Sequence, residues 1–126
     1  MKNIKKEIET ISLIVFLFLS INAFSQEKEV EIIKFKVEES KNNPLPGVSI
    51  YEKGTSNGTT TNFDGEAFLE LHNKNQTIVL SFLGPQISFN LINNIDFIQL
   101  NIEKRRLTFY RNGKKIKRIK PKFDGI

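Results

Sequence analysis

The chain has 126 residues, of which 39% are hydrophobic and 26% are charged, a length and composition that fit a single globular domain. It contains no cysteine and one histidine, which excludes disulfide crosslinks and the Cys- or His-rich ligand sets of zinc sites. The fold must therefore be held together by its hydrophobic core.

Residues 1–25 have the layout of a secretory signal. Lys2, Lys5 and Lys6 precede the apolar run ISLIVFLFLSINAF, and the small-x-small sequence AFS comes just before Gln26. The apolar run falls short of the about 20 residues that a membrane-spanning helix needs. We predict a signal-peptide helix at residues 1–25, a mature chain that begins near Gln26, and export. An uncleaved anchor is the alternative.

Short strands separated by turn residues follow the signal. In VEIIKFKV the side chains of Ile33, Phe35 and Val37 alternate with lysines, which gives one apolar face. TIVLSFL is apolar on both sides and predicts a strand that is covered on both faces. No apolar stripe at helical spacing persists, so the sequence predicts an all-β sandwich. The seven predicted strands are VEIIKFKV, VSIYEKG, TTTNF, EAFLEL, TIVLSFL, ISFNLI and FIQLNI.

Two dipeptides within TSNGTTTNFDGEAFLEL are hairpin signals. Asn57-Gly58 and Asp64-Gly65 suit type I′ turns, because Asn and Asp tolerate a positive φ and Gly favours it. NFDGE also imitates part of an EF-hand loop, but Leu71 stands where that loop needs its bidentate Glu, so we interpret it as a turn. The residues predicted to form structural turns are Gly47, Gly54, Asn57, Gly58, Asp64, Gly65 and Gly84.

The C-terminal segment, residues 104–126, is strongly basic. From Glu103 onward the chain has ten basic and two acidic residues, a net charge of +8, whereas residues 26–102 carry −4. Asn112-Gly113 lies between alternating apolar residues and predicts a basic hairpin or edge ribbon. The basic side chains either prevent edge-to-edge aggregation or attach the protein to an anionic surface, at about 1 kcal/mol per charge near a membrane. The candidate contacts with an anionic surface are Arg105, Arg106, Arg111, Lys114, Lys115, Lys117 and Arg118.

No residue pattern predicts catalysis, a metal site or a cofactor. His72 is the lone imidazole, and no serine is marked as a nucleophile beside it. We therefore interpret His72 as an exposed histidine at a strand end rather than as part of a Ser-His-Asp triad. The sequence predicts a protein that is not an enzyme.

The stretch NPLPGVSIYEKGTSNGTTTNFDGEAFLEL, followed by TIVLSFLG, carries a series of landmarks in a fixed order: Pro-Leu-Pro-Gly-Val, Gly-Thr, Asn-Gly, Asp-Gly and Ser-aromatic-apolar-Gly. Over residues 31–103 it resembles the carboxypeptidase-regulatory-like domain of Bacteroidota, which is found at the N-terminus of SusC-type TonB-dependent outer-membrane receptors. The resemblance implies a seven-stranded sandwich like transthyretin or an immunoglobulin domain. It implies no activity of its own.

These observations predict three segments: a signal at 1–25, a β-sandwich at 26–103 and a basic hairpin or tail at 104–126. We expect an exported, non-catalytic module in the periplasm, at the outer membrane or at the cell surface. Its expected partner is an envelope or outer-membrane protein, or an anionic lipid or glycan surface. Export argues against nucleic acid. The alternative is a glycan-binding or adhesion module that uses loops at Asn57 to Phe63, with Tyr51.

Overall fold

The computed structural model describes residues 30–72 and 76–124, and the predicted signal at 1–25 lies outside this part of the chain. The described residues form β-structure without a helix. Eleven strands are present among them. The strands are β1 (Glu31–Ser40), β2 (Asn43–Pro44), β3 (Ser49–Glu52), β4 (Gly58–Thr60), β5 (Glu66–Leu71), β6 (Thr77–Ser81), β7 (Gln86–Asn90), β8 (Phe97–Asn101), β9 (Arg106–Arg111), β10 (Lys114–Ile119) and β11 (Lys122–Asp124).

The strands form two sheets that enclose one core. Sheet A has the order β10-β9-β8-β1, and the other side of β1 is shared by β5 and β2. Sheet B has the order β11-β7-β6-β3-β4. β1 and β8 run parallel, and the other recorded pairs are antiparallel. The prediction of an all-β sandwich is confirmed.

The predicted number of seven strands is wrong, because the structure has eleven among the described residues. Three of the extra strands, β9, β10 and β11, come from the basic segment at 104–126. The fourth is β2, whose two residues pair with the end of β1 inside a stretch that reads as a turn. β9 and β10 form the hairpin that the sequence predicts at 104–126 in addition to the seven strands, whereas β2 and β11 have only two and three residues, too few to show an apolar alternation.

The core is built from alternate residues of both sheets. Ile33, Phe35 and Val37 of β1 are buried, as the alternation in VEIIKFKV predicts. In β6 the side chain of Val79 is buried on the second face as well, where it lies opposite Tyr51 of β3. Leu83, after the end of β6, is fully exposed, so the two-sided burial of TIVLSFL ends with the strand.

The basic segment begins inside the sandwich. Leu107 and Phe109 of β9 are fully buried, and the ring of Phe109 meets that of Phe89 edge to face, with centroids 5.8 Å apart. β9 pairs along its length with β8 of sheet A. The core therefore extends past Glu103, the end of the sandwich predicted from the sequence.

The turn between β4 and β5 is not the predicted type I′ turn at Asp64-Gly65. The N–H of Gly65 donates to the carbonyl of Asn62 at 2.9 Å, and φ is positive at Gly65 (71°) but not at Asp64. The Asn62 side chain closes the turn, because its Oδ1 accepts the N–H groups of Asp64 and Glu66 at 3.0 and 3.1 Å. The turn has its central residues at positions 63 and 64, with the left-handed glycine after them.

Gly65 lies against β1 with no room for a side chain. A Cβ at this position would be 2.4 Å from the carbonyl oxygen of Val37. The backbone N–H of Val37 donates to the Gly65 carbonyl at 2.8 Å, and the N–H of Leu45 donates to the Val37 carbonyl at 2.9 Å. This contact joins the β4–β5 turn to β1 and to Leu45, the residue that follows β2.

The buried Thr61 holds the same region from the other side. Its Oγ1 accepts the N–H of Val48 at 2.9 Å and donates to the carbonyl of Leu45 at 2.8 Å. Because Thr61 is buried, its hydroxyl takes the place of water as the hydrogen-bond partner of these two backbone groups.

The type I′ turn predicted at Asn57-Gly58 is absent. Gly58 is the first residue of β4 and its φ is not in the left-handed region. The chain reverses instead at residues 52–55, where the N–H of Thr55 donates to the carbonyl of Glu52 at 3.1 Å and Gly54 has a φ of 78°. Gly58 serves close strand pairing, since a Cβ there would lie 3.0 Å from the Ile50 carbonyl oxygen.

Candidate interaction surface

The basic hairpin, defined here as residues 106–119, consists of β9, a two-residue turn and β10. Asn112 and Gly113 both have positive φ, 48° and 78°, as a type I′ turn requires. The carboxylate of Asp96 accepts the N–H of Asn112 at 2.9 Å and so ties the turn to the start of β8. The hairpin is therefore anchored at its tip as well as along β9.

The two strands of the basic hairpin differ sharply in burial. β9 alternates between the core and the outer face of sheet A, whereas the first five residues of β10 are exposed and only Ile119 is half-buried. β10 is thus an edge strand that the core supports through β9 without covering it.

The structure gathers most of the predicted basic contacts on this hairpin. Arg106 and Arg111 lie on β9, and the remaining four of the hairpin lie on β10. Arg105 is separate, because it precedes β9 and its guanidinium stacks 5.3 Å from the centre of the Phe123 ring. The four basic residues of β10 are Lys114, Lys115, Lys117 and Arg118.

The register divides these four charges between both faces of the hairpin. Lys115 lies opposite Tyr110 and Arg118 lies opposite Thr108, on the outer face of sheet A. Lys117 lies opposite the buried Phe109 and therefore points towards the inner side. A bulge between Lys115 and Lys117 produces this change of face.

The charges of the hairpin are not neutralised within the described part of the chain. The ion pairs found there join Lys34 and Lys36 to Glu66, and Lys122 to Asp124. None of the seven predicted contact residues takes part in them. Their charge remains available to an external partner.

Aromatic rings line the outer face of sheet A next to the hairpin, a feature that the sequence interpretation missed. The rings of Phe97 on β8 and Tyr110 on β9 are 5.3 Å apart. The Tyr110 hydroxyl donates to Oε1 of Gln99 at 3.4 Å. In the same row, Lys34 lies 5.9 Å from the centre of the exposed Phe68 ring. The sequence shows that each strand has an aromatic or basic residue at an outward position. Only the pairing of β5, β1, β8 and β9 brings these residues into one row.

A cleft of about 300 Å³ opens between β10 of sheet A and β7 of sheet B. Its apolar part includes Phe89, Phe109 and Ile119, and its rim includes Lys117 and Lys122. The chain crosses from one sheet to the other at residues 120–121, which bounds the cleft at one end. We call it the edge cleft.

The predicted turn residues lie at several separate places. Gly47, Gly54, Gly65 and Gly84 have positive φ, and each belongs to a different connection between strands. The side chain of Asn57 donates to the carbonyl of Glu70 at 2.6 Å, so it covers the outer edge of β5. These residues shape the fold and do not form one common surface.

The loop residues considered for glycan binding are not brought together. Tyr51 pairs with Gly58, at the start of β4. Phe63 is highly exposed but lies in the turn beyond the other end of β4. The two aromatic side chains therefore cannot form one stacking platform at a single end of the sandwich.

His72 follows the last residue of β5, and its backbone N–H donates to the carboxylate of Glu52 at 3.4 Å. Glu52 is buried, which was not predicted from the sequence. Within residues 30–72 and 76–124, no three Asp, Glu or His side chains come together as metal ligands. In the same part of the chain, no helix has the length and hydropathy to cross a membrane.

A family model described as the CarboxypepD_reg-like domain matches residues 36–108. The chain is 40% identical over 74 residues to the TonB-dependent receptor SusC of Bacteroides thetaiotaomicron, which covers 59% of this chain and 7% of the receptor. It is 32% identical over 79 residues to the TonB-dependent receptor P3 of Formosa agariphila, covering 63% of this chain and 8% of the receptor.

The chain thus spans less than a tenth of the length of these curated relatives. No solved structure gives a significant match. The family model runs through β8 and into β9, in agreement with the placement of β9 inside the sandwich. The resemblance seen in the sequence is confirmed, and the chain belongs to the CarboxypepD_reg-like domain family.

Proposed function

We propose that this protein is an exported, non-catalytic binding module of the cell envelope, accessory to outer-membrane or surface proteins. Its basic hairpin makes contact with an anionic surface or partner. The relatives, which are TonB-dependent receptors, support an envelope setting. The signal-like residues 1–25 support export.

The exposure of β10 is the observation that carries this proposal. A loose basic tail would spread its charge over many conformations, whereas the hairpin holds four basic side chains on six consecutive residues of a strand that the core supports. These charges have no ion-pair partner in the described residues. A fixed array of like charges raises the local concentration of an anionic partner and speeds its association.

The choice of a binding role over a catalytic one follows from the side chains present. The single imidazole is exposed at the end of β5, and the buried Glu52 meets only its backbone N–H. General acid–base catalysis needs a titratable group placed beside a substrate site. The edge cleft is lined by lysine, serine, asparagine and apolar residues, and its lining residues include no carboxylate or imidazole, the groups that most often act as general acids and bases.

The glycan-binding alternative has less support. Tyr51 on β3 lies opposite the first residue of the short strand β4, whereas Phe63 lies in the turn beyond its last residue. The rings that do share a surface, Phe97 and Tyr110, belong to sheet A and adjoin the basic hairpin.

The test compares two variants with the same change in net charge. One is Lys114→Gln/Lys117→Gln in the hairpin, and the other is Lys41→Gln/Lys53→Gln at exposed positions elsewhere. The full chain is expressed in its host, and the isolated envelope fraction is washed with NaCl from about 0.1 to about 1 M, which shortens the Debye length from about 10 to about 3 Å. Substitution is needed because deletion of residues 104–126 would remove Leu107 and Phe109 from the core.

We expect the hairpin variant to be released at lower salt than the wild type. At about 1 kcal/mol per charge, two lost charges weaken attachment by roughly 30-fold. The control variant should behave like the wild type. Equal release of all three proteins at every salt concentration would contradict the proposal.

A further inference from the structure

β10 is an open edge of sheet A. In the described residues it pairs with β9 alone. Arg111 and Lys114 flank the two-residue turn and so exchange their backbone hydrogen bonds with each other. Alternation then directs the backbone groups of Lys115 and, after the bulge, Arg118 away from β9.

The opposite edge of sheet A is partly covered. On β5, the carbonyl of Glu70 accepts a hydrogen bond from the side chain of Asn57, and the carbonyl of Glu66 accepts one from the N–H of Asn62. The outer edges of sheet B are strands of only three residues each, β4 and β11. β10 differs from these edge strands. It has six residues, and among the described residues its outward backbone groups have no hydrogen-bond partner.

The charge on β10 favours an extended acidic partner over a flat anionic surface. Lys115 and Arg118 project from the outer face of sheet A, whereas Lys117 lies on the inner side. A flat surface can approach only one of these faces. A strand that lies alongside β10 has side chains on both faces and can place a carboxylate near each set of basic residues.

The edge cleft supplies a place for an apolar side chain of the same partner. Lys117 and Ile119 of β10 line it together with Phe89 and Phe109. A strand added beside β10 would direct alternate side chains to this inner side, as β10 itself does. Ile116 is half exposed at the bulge and offers a further apolar contact.

We propose that β10 binds an extended acidic segment of a partner protein by β-strand addition. Backbone hydrogen bonds form along the open edge, carboxylates of the segment meet the basic side chains of β10, and an apolar residue of the segment enters the edge cleft. This inference rests on the proposed function of the basic hairpin, and it specifies the chemistry and the geometry of the partner.

The test uses Arg118→Pro and Arg118→Gln. Both variants remove the same charge, but only proline removes the outward N–H, and an edge strand tolerates proline at such a position. The probe is a capped, fluorescent peptide of about seven residues, long enough for one strand, in which Glu alternates with Val except that one Val position carries Glu, so that carboxylates lie on both faces. A second peptide keeps the Glu residues and replaces each Val with Pro, so that it has the same charge but cannot pair as a strand.

We expect Arg118→Gln to weaken binding of the Glu-Val peptide by a few fold, and Arg118→Pro to weaken it by about tenfold more. The Glu-Pro peptide should bind the wild type at least about tenfold more weakly than the Glu-Val peptide. The peptide comparison needs no variant, so it tests the proposal even if Arg118→Pro does not fold.

Equal affinity for the two peptides would overturn strand addition. So would binding of phosphatidylglycerol vesicles that is tighter than peptide binding and equal in Arg118→Pro and Arg118→Gln, since a lipid surface needs only the charges. Both outcomes leave the basic hairpin as an electrostatic contact. Failure of the proposed function is distinct, because the Lys114→Gln/Lys117→Gln variant would then stay attached to the envelope as the wild type does.

Discussion

Replacing Gly65 with alanine places a methyl group where the structure has no room for one. The positive φ of 71° alone costs about 1–2 kcal/mol in an L-residue. The new Cβ would also lie 2.4 Å from the carbonyl oxygen of Val37, so the backbone must move. That movement weakens the hydrogen bonds of Val37 with Gly65 and Leu45, each worth about 0.5–1.5 kcal/mol. We expect a loss of about 2–5 kcal/mol of unfolding free energy.

Gly54→Ala is the matched control. Gly54 has a φ of 78°, but no atom lies within 4 Å of its Cβ position, so the expected loss is the conformational cost of about 1–2 kcal/mol. Urea denaturation of the wild type and both variants measures the difference, with the midpoints compared at a common m-value. Equal losses in the two variants would refute the close approach of Gly65 to β1.

Three further predictions concern the core, a buried hydroxyl and the hairpin tip. Phe109→Ala should cost about 3–5 kcal/mol in a denaturant titration, whereas Ile116→Ala should cost little; similar losses would show that β9 is not a core strand. Thr61→Val leaves a buried N–H without its acceptor and should lower the unfolding free energy by about 1–3 kcal/mol, whereas Thr60→Val, at an exposed position, should leave it nearly unchanged. A Thr61→Val variant as stable as the wild type would contradict the two hydrogen bonds assigned to the Thr61 hydroxyl. Asp96→Ala should speed amide exchange at the hairpin turn without changing exchange in the core strands; unchanged exchange at the turn would mean that Asp96 does not anchor it.

Local alternation predicted the inward faces of the longer strands well. Ile33, Phe35 and Val37 fall on the core side of β1 because a strand in a sandwich exposes every second side chain to the opposite sheet. The same reasoning gave the buried positions of β5 and β8. It could not predict which strands pair, because β1 pairs in parallel with β8, a strand that lies far along the chain from it.

Turn dipeptides were less reliable. Asn112-Gly113 forms a turn with two positive φ values, but Asn57-Gly58 does not, although the two dipeptides are identical. The difference lies in the neighbours. At Gly58, β4 approaches the Ile50 carbonyl closely. This position needs a residue without a side chain, but it does not need a left-handed backbone conformation. A single sequence does not separate these two uses of glycine.

The candidate surface was only partly predictable. The seven basic residues were identified from charge, and the alternation of Leu107 and Phe109 predicted a hairpin, but it did not show that the first strand of this hairpin belongs to the core. Arg105 was grouped with the hairpin by its position in the chain, but it stacks on Phe123. The aromatic row and the edge cleft depend on which strands become neighbours, and that is decided by long-range pairing.

The position of β1 in the middle of sheet A also has a consequence for how the protein reaches its native state. The first strand of the domain must wait for Phe97 to Asn101 before its second side is paired, so folding cannot proceed in the order of synthesis. Topologies dominated by such distant contacts fold on a scale of about milliseconds to seconds. During this interval the apolar side chains of β1 are open to association with other chains. The domain is therefore protected from misassembly only when β8 is available to pair with β1.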